Sequence, residues 1–252
     1  MCYTNAARSP LPPILGGSTD EADLVLTAAD GNRLRAYAAR AATPSGAGVV
    51  VIPDPRGVHP FYKDLVGRFA QAGVDAVVID YLDRTAGTAE RPDGFDLRAA
   101  IGKTTPEGIA ADVAAGVAYL RSPDGGRVAS VFTVGFCFGG AQSWRQSAVQ
   151  PGLAGAIGFY GMPSRVRDLI PQMRAPLLLL LAGNDQATTQ EDFSKFDAEL
   201  TQAGVPHQKV VYEGAPHSFF DRTFEEHKAA SDDAWRQMLA FIKEHARQAA
   251  RA

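Results

Sequence analysis

Apolar residues in this chain fall into short continuous or alternating runs, separated by stretches in which they recur every three or four residues. Two runs come first, Ala22–Ala28 and Arg33–Ala39, parted by Ala29-Asp30-Gly31-Asn32, where Asp-Gly predicts a hairpin turn. Gly48–Pro53 (GVVVIP) is apolar almost throughout, the pattern of a strand buried on both faces. A helix over about residues 61–72 stops at Gly73, and Asp75–Asp80 is the next strand. Thr105-Pro106-Glu107 supplies a hydroxyl cap, a proline at the first helical position and an acid in the first turn, so a helix runs from there to about Arg121. Val128–Val134 then leads into Gly135-Phe136-Cys137-Phe138-Gly139-Gly140, and a helix over about 140–148 leaves that turn. Strands near Gly155–Phe159, Pro176–Ala182 and Gln208–Tyr212 follow. A last helix over about 231–249 carries Trp235, Met238, Leu239 and Ile242 on one stripe, which reads as core.

Strands alternating with helices predict an α/β fold with a mostly parallel central sheet and helices on both faces. Two stretches break the alternation. Residues 1–20 are rich in proline, glycine and small residues and read as a flexible arm before one domain over 21–252. Residues 82–105 are polar and without period, and read as a lid or pocket loop.

Composition narrows the classes of function. Of 252 residues, 46% are hydrophobic and 21% charged, which suits a globular chain that needs neither disulfide nor structural metal. There are two cysteines, Cys2 and Cys137; a bond between them is one arrangement, but two scattered cysteines fit a reducing compartment better. The net charge is −3 with dispersed Lys and Arg, so no basic footprint for nucleic acid stands out. The apolar run Leu177–Ala182 is too short to span a bilayer, and the first residues lack a signal peptide's apolar stretch. The expectation is a cytoplasmic protein, monomeric or homodimeric, free of membrane anchors.

Gly135-x-Cys137-x-Gly139, between a strand and a helix, has the shape of a nucleophile elbow with cysteine as the nucleophile. Glycines flank the nucleophile because the turn is sharp and side chains there would strike neighbouring backbone. The turn also aims the start of the next helix at the sulfur, which favours thiolate. The alternative is a small buried hydrophobe. A thiol nucleophile needs a base, and the base needs an orienting group. Among five histidines, His217 lies just past the last strand, in Gly214-Ala215-Pro216-His217-Ser218-Phe219-Phe220, where an α/β-hydrolase carries its histidine. Asp185, after the preceding strand, is the candidate acid; an ordinary turn former is the alternative. His59, after the third strand, is a candidate for the pocket rim, while core or surface is the plainer reading.

At these residues the chain resembles the dienelactone hydrolase (carboxymethylenebutenolidase) family. The matching stretches are GFCFGG at 135–140, AGNDQ at 182–186, GAPHSFF at 214–220, GFYG at 158–161 and the segment from Pro53 to Tyr81. The resemblance implies an α/β-hydrolase fold and a cysteine hydrolase without metal or organic cofactor, with a triad on Cys137, Asp185 and His217. The family carries a thiol-tuning glutamate where this chain has Asp54, one methylene shorter. It also takes an oxyanion donor from the backbone amide of the next residue, which here is Pro55 and has no N–H. The amide of Phe138 remains as one donor, and the side chain or amide of Arg56 is expected to take over as the second; an exposed structural arginine is the alternative. The family's substrates carry a carboxylate held by arginines, for which Arg222 and, in the 82–105 loop, Arg84, Arg91 and Arg98 are candidates. Phe136, Tyr160 and Phe219 are expected as pocket walls, or else as core.

The expected chemistry is acyl transfer from a lactone or activated ester, with no cofactor. Two other readings stand beside it. One is a thioesterase or natural-product tailoring hydrolase on the same fold. The other is a hydrolase-fold binding protein that holds a lactone-like ligand without turnover.

Overall fold

The computed structural model describes residues 9–12, 16–89, 91 and 94–249. The predicted hairpin forms from β1 (Ser18–Thr27) and β2 (Arg33–Ala41), with Gly31 at φ 85° in its turn. Six further strands join it: β3 (Ala47–Ile52), β4 (Asp75–Ile79), β5 (Ser130–Phe136), β6 (Gly155–Phe159), β7 (Leu177–Asn184) and β8 (His207–Pro216). They lie in the order β1-β2-β4-β3-β5-β6-β7-β8. β1 with β2 and β2 with β4 are antiparallel, and all remaining pairs are parallel. The continuous apolar runs occupy the middle of this sheet: every residue of β3, β4, β5 and β6 is buried. A strand covered on both faces has no use for alternation.

Among the described residues seven α-helices connect or flank the strands: α1 (Pro60–Gln71), α2 (Asp83–Ala86), α3 (Leu97–Gly102), α4 (Pro106–Arg121), α5 (Phe138–Val149), α6 (Gln190–Gln202) and α7 (Lys228–Ala249). Thr105 caps α4, its hydroxyl accepting from the Gly108 amide at 3.1 Å, as the sequence predicts. The helices divide between two cores. One packs α4, α5 and α6 against the sheet through residues such as Val113, Val117, Trp144 and Phe196. On the other face α1 and α7 cover the sheet with Phe61, Leu65, Phe69, Trp235, Met238 and Ile242. The arrangement expected from the strand–helix alternation, a mostly parallel sheet with helices on both faces, is therefore present.

Two sequence expectations need correction. The described part of the N-terminal arm is tied down, not loose. The Ser9 amide and hydroxyl donate to Asp64 at 2.8 and 2.7 Å, Trp235 donates to the Pro10 carbonyl at 2.9 Å, and β1 already begins at Ser18. Cys2 lies outside the described residues, and so does any pairing it makes. The 82–105 stretch is also not a structureless loop. It holds α2 and α3, too short for their period to show, with Asp96 capping α3 through the Ala99 amide at 2.9 Å. Among the described residues no helix is long and apolar enough to cross a membrane.

Candidate active site

Four parallel strands in a row end one residue before a side chain that matters. Phe136 closes β5 before Cys137, Phe159 closes β6 before Tyr160, Asn184 closes β7 before Asp185, and Pro216 closes β8 before His217. Parallel strands end at a common rim, so these four residues share one edge of the sheet. Register finishes the job for the last pair: Asn184 lies opposite Pro216, which sets Asp185 beside His217.

Cys137 turns the chain from β5 into α5 with φ 56° and ψ −115°, a left-handed conformation that a non-glycine residue adopts only when its surroundings impose it. Its neighbours explain the two glycines. A Cβ on Gly135 would lie 1.9 Å from the Gly139 carbonyl oxygen, and one on Gly139 would lie 2.1 Å from the Ile52 carbonyl oxygen. The Cys137 amide donates to the Phe159 carbonyl at 3.1 Å, fixing the turn to β6. Its thiol is free and partly exposed. Phe138 is the first residue of α5, so its amide has no intrahelical acceptor.

His217 Nδ1 sits 2.9 and 3.1 Å from the two carboxylate oxygens of Asp185. That carboxylate also accepts from the Ala187 amide at 2.7 Å and the Thr188 amide at 3.3 Å, so Asp185 shapes its own turn while holding the imidazole. Burial disfavours protonation of His217. The Asp185 hydrogen bond and, after it, Cys137 as hydrogen-bond partner and negative charge outweigh burial and push the imidazole up to about 10. The ring rests on Tyr160, centroid to centroid 4.9 Å.

Beneath this rim lies a buried charge cluster. Asp54 and Asp221, each 1% exposed, share the Arg56 guanidinium: Nε lies 2.8 Å from Asp54 and Nη2 lies 2.6 Å from Asp221. Arg56 also lies over the Tyr62 ring at 5.2 Å and the Phe61 ring at 5.6 Å. Tyr160 donates its hydroxyl to Asp221 at 2.5 Å. Arg222 stands at the edge, half-exposed, 3.5 Å from Asp54 and 3.8 Å from Asp221. Burial and then the nearby Asp54 charge raise the Asp221 carboxyl, against the pull of Arg56, Tyr160 and Arg222. His59, the candidate for the rim, is spent locally: its Nδ1 accepts from the Phe61 amide at 3.2 Å to cap α1. Burial and then repulsion from Arg56 push it down to about 4, so it is neutral.

Several sequence candidates stand elsewhere than expected. The Arg56 amide donates to Asp54 Oδ1 at 3.0 Å and its guanidinium lies between two carboxylates, so it is a buried ion-pair partner and not an exposed arginine. Asp54 directs its hydrogen bonds to Arg56 and Arg222, not to the thiol. Phe136 and Phe219 are fully buried core residues, Phe136 stacked on Phe159 at 4.8 Å; a side chain inside β5 faces the core while the turn after it faces the rim. Arg84 is structural: it bridges Asp30 at 2.6 Å and the fully buried Asp112 at 2.7 Å. Arg91 likewise joins Asp80 and Asp83, and Arg98 is exposed on α3. The sequence reading missed Asp221 altogether, although it directly precedes the singled-out Arg222. It also missed Arg165, whose guanidinium lies 5.0 Å from the Phe138 ring centroid. Among the described residues no group of three or more His, Cys, Asp or Glu is placed to hold a metal ion.

Comparison with known proteins agrees with this architecture. The sequence pattern of the dienelactone hydrolase family matches residues 34–246. The Escherichia coli (strain K12) protein named "Putative carboxymethylenebutenolidase" is 28% identical over 255 residues, covering 95% of this chain and 94% of that protein. A Bradyrhizobium protein named "Probable 2-oxo-3-(5-oxofuran-2-ylidene)propanoate lactonase" is 25% identical, covering 78% of this chain and 83% of that one. Among solved structures, one titled as a putative dienelactone hydrolase from Klebsiella pneumoniae superposes with a TM-score of 0.77 at 27% identity, over 89% of this chain and 99% of that one. This chain belongs to the dienelactone hydrolase family.

Proposed function

From membership of the dienelactone hydrolase family, we propose that this chain is a carboxylic ester hydrolase that opens lactones or activated esters through the thiol of Cys137. His217 moves the protons and Asp185 orients it. The observation that carries this reading is an imidazole held on the Asp185 carboxylate at the same carboxyl rim of the sheet as the Cys137 elbow. Attack by sulfur forms a tetrahedral adduct; collapse expels the alkoxide, which takes a proton from His217. Water then attacks the thioester with His217 as base and returns the thiol. Thiolate leaves more readily than alkoxide, so the adduct tends to revert, and a substrate whose ring strain or leaving group favours the forward collapse suits the site best. The lactonase relative supports the same substrate class.

Alkylation tests it. Iodoacetamide should label Cys137 and abolish hydrolysis of p-nitrophenyl acetate, and His217→Ala should lower turnover at least about a hundredfold. Labelling without loss of activity would remove the thiol from the reaction. One observation favours the binding-protein reading: Pro55 offers no amide and that of Arg56 is taken by Asp54. Incubation with a lactone followed by mass spectrometry separates the two, since a binding protein returns its ligand intact.

A further inference from the structure

A thiol that attacks a carbonyl is helped by two donors at the oxygen, and the Phe138 amide at the start of α5 is the first candidate. Tyr81 offers a second. It directly follows Asp80 at the carboxyl end of β4, the strand next to β3, and so stands at the same rim as the elbow. The side chain is fully buried, with its ring tilted against the Phe138 ring at a centroid distance of 5.6 Å. Its hydroxyl has no hydrogen-bond partner among the described residues. Buried polar groups are satisfied in the great majority of cases, and an orphan beside a reaction centre points to a partner that arrives with the substrate. The other buried tyrosines nearby are spoken for: Tyr62 accepts from the Asp54 amide at 3.0 Å, and Tyr160 donates to Asp221.

We propose that the Tyr81 hydroxyl, buried against Phe138 without a partner among the described residues, is the second oxyanion donor beside the Phe138 amide. This rests on Cys137 being the nucleophile. As the sulfur–carbon bond forms, the carbonyl π pair moves onto oxygen, which accepts from the Phe138 N–H and the Tyr81 O–H. When the carbonyl re-forms, the leaving alkoxide takes its proton from His217, and Tyr81 keeps its own throughout. The hydroxyl is held in its donor form. Burial and then the negative charges of Asp54, Asp80 and Cys137 raise it well above the usual phenol range. A donor that stays protonated, dry and fixed in advance is what an oxyanion hole requires.

Tyr81→Phe removes only this O–H. It should lower kcat for p-nitrophenyl acetate by a factor on the order of 10² to 10³ with KM little changed. The melting temperature should hold or rise, because the hydroxyl lost has no partner in the free protein. Sulfur accepts hydrogen bonds poorly, so wild type should disfavour a thionoester against its oxoester, and Tyr81→Phe should narrow that ratio. A variant with wild-type kcat, or with an unchanged thionoester ratio, would overturn the proposal. So would a loss of activity that parallels a loss of stability. Iodoacetamide labelling of Cys137 keeps the two claims apart: full activity in Tyr81→Phe with alkylation still inactivating sinks only Tyr81, whereas activity surviving alkylation sinks the thiol mechanism itself.

Discussion

Replacing Arg56 by methionine keeps the stem against Phe61 and Tyr62 and deletes the charge between Asp54 and Asp221. Both carboxylates are 1% exposed and the arginine side chain is 9% exposed, so solvent cannot take over its role. Breaking a buried pair by removing one partner costs about 3–5 kcal/mol, against about 1 kcal/mol or less for an exposed pair. That is a large part of the roughly 5–15 kcal/mol that holds a typical domain folded. The loss should depend on pH. Asp221 is already raised in the folded protein, with Arg56 among the groups holding it down; without Arg56 it rises further. A carboxyl raised on folding makes the folded state bind more protons, so stability falls as pH climbs from about 3.9, the unfolded value, through the folded one. Urea unfolding followed by fluorescence of the buried Trp144 and Trp235 should therefore show a loss of about 3–5 kcal/mol at pH 8, and a smaller one at pH 5. Arg56→Met/Asp221→Asn should recover much of the loss at pH 8, because one uncompensated charge goes with it. A loss below about 1 kcal/mol, or one equal at both pH values, would show that the cluster does not carry the buried charge assigned to it.

Two further outcomes follow from the site. His217, near 10 when folded against about 6.5 unfolded, holds a proton that the unfolded chain releases between those values. Its contribution to stability is complete below about pH 6.5 and is lost as pH rises through about 10. Asp185→Asn should flatten that decline in urea titrations at pH 6 and pH 9.5, and an unchanged slope would detach the imidazole from Asp185. Arg84→Ala should destabilise by about 3 kcal/mol through the unpaired Asp112, yet leave kcat/KM for aryl esters as in wild type; a tenfold rise in KM would return Arg84 to the pocket.

What the sequence revealed depended on the range of the forces involved. Cys137 was legible because strand, paired glycines and helix are contiguous, and the packing that demands the glycines follows from the turn itself. Asp185 and His217 were legible because strand ends repeat at predictable places in a parallel sheet. Arg56 was not. Its partner Asp221 is 165 residues away, and nothing local distinguishes a cation that neutralises two buried acids from one that binds substrate. Arg84 misled for the same reason: its anchors, Asp30 and Asp112, lie on the hairpin turn and on α4. Phe136 directly precedes Cys137 and Phe219 lies two residues past His217, but closeness in sequence does not decide which way a side chain points, and both face the core.

The Asp54-Pro55-Arg56 segment then reads as one coupled unit. Asp54 accepts from the Arg56 amide and guanidinium, and that arginine in turn pairs with Asp221, which holds Tyr160 under the imidazole. The end of β3 is thereby a floor braced by buried ion pairs, in which Pro55 has no N–H and the Arg56 amide is taken by Asp54. The proposed donors for the carbonyl oxygen come from the adjacent strand ends: the Phe138 amide after β5 and, on the other side of β3, Tyr81 just past the end of β4, buried and with its hydroxyl unpartnered among the described residues. Floor and donor are separate in this arrangement, so substitutions in the charge cluster should act first on stability and substitutions at Tyr81 first on kcat.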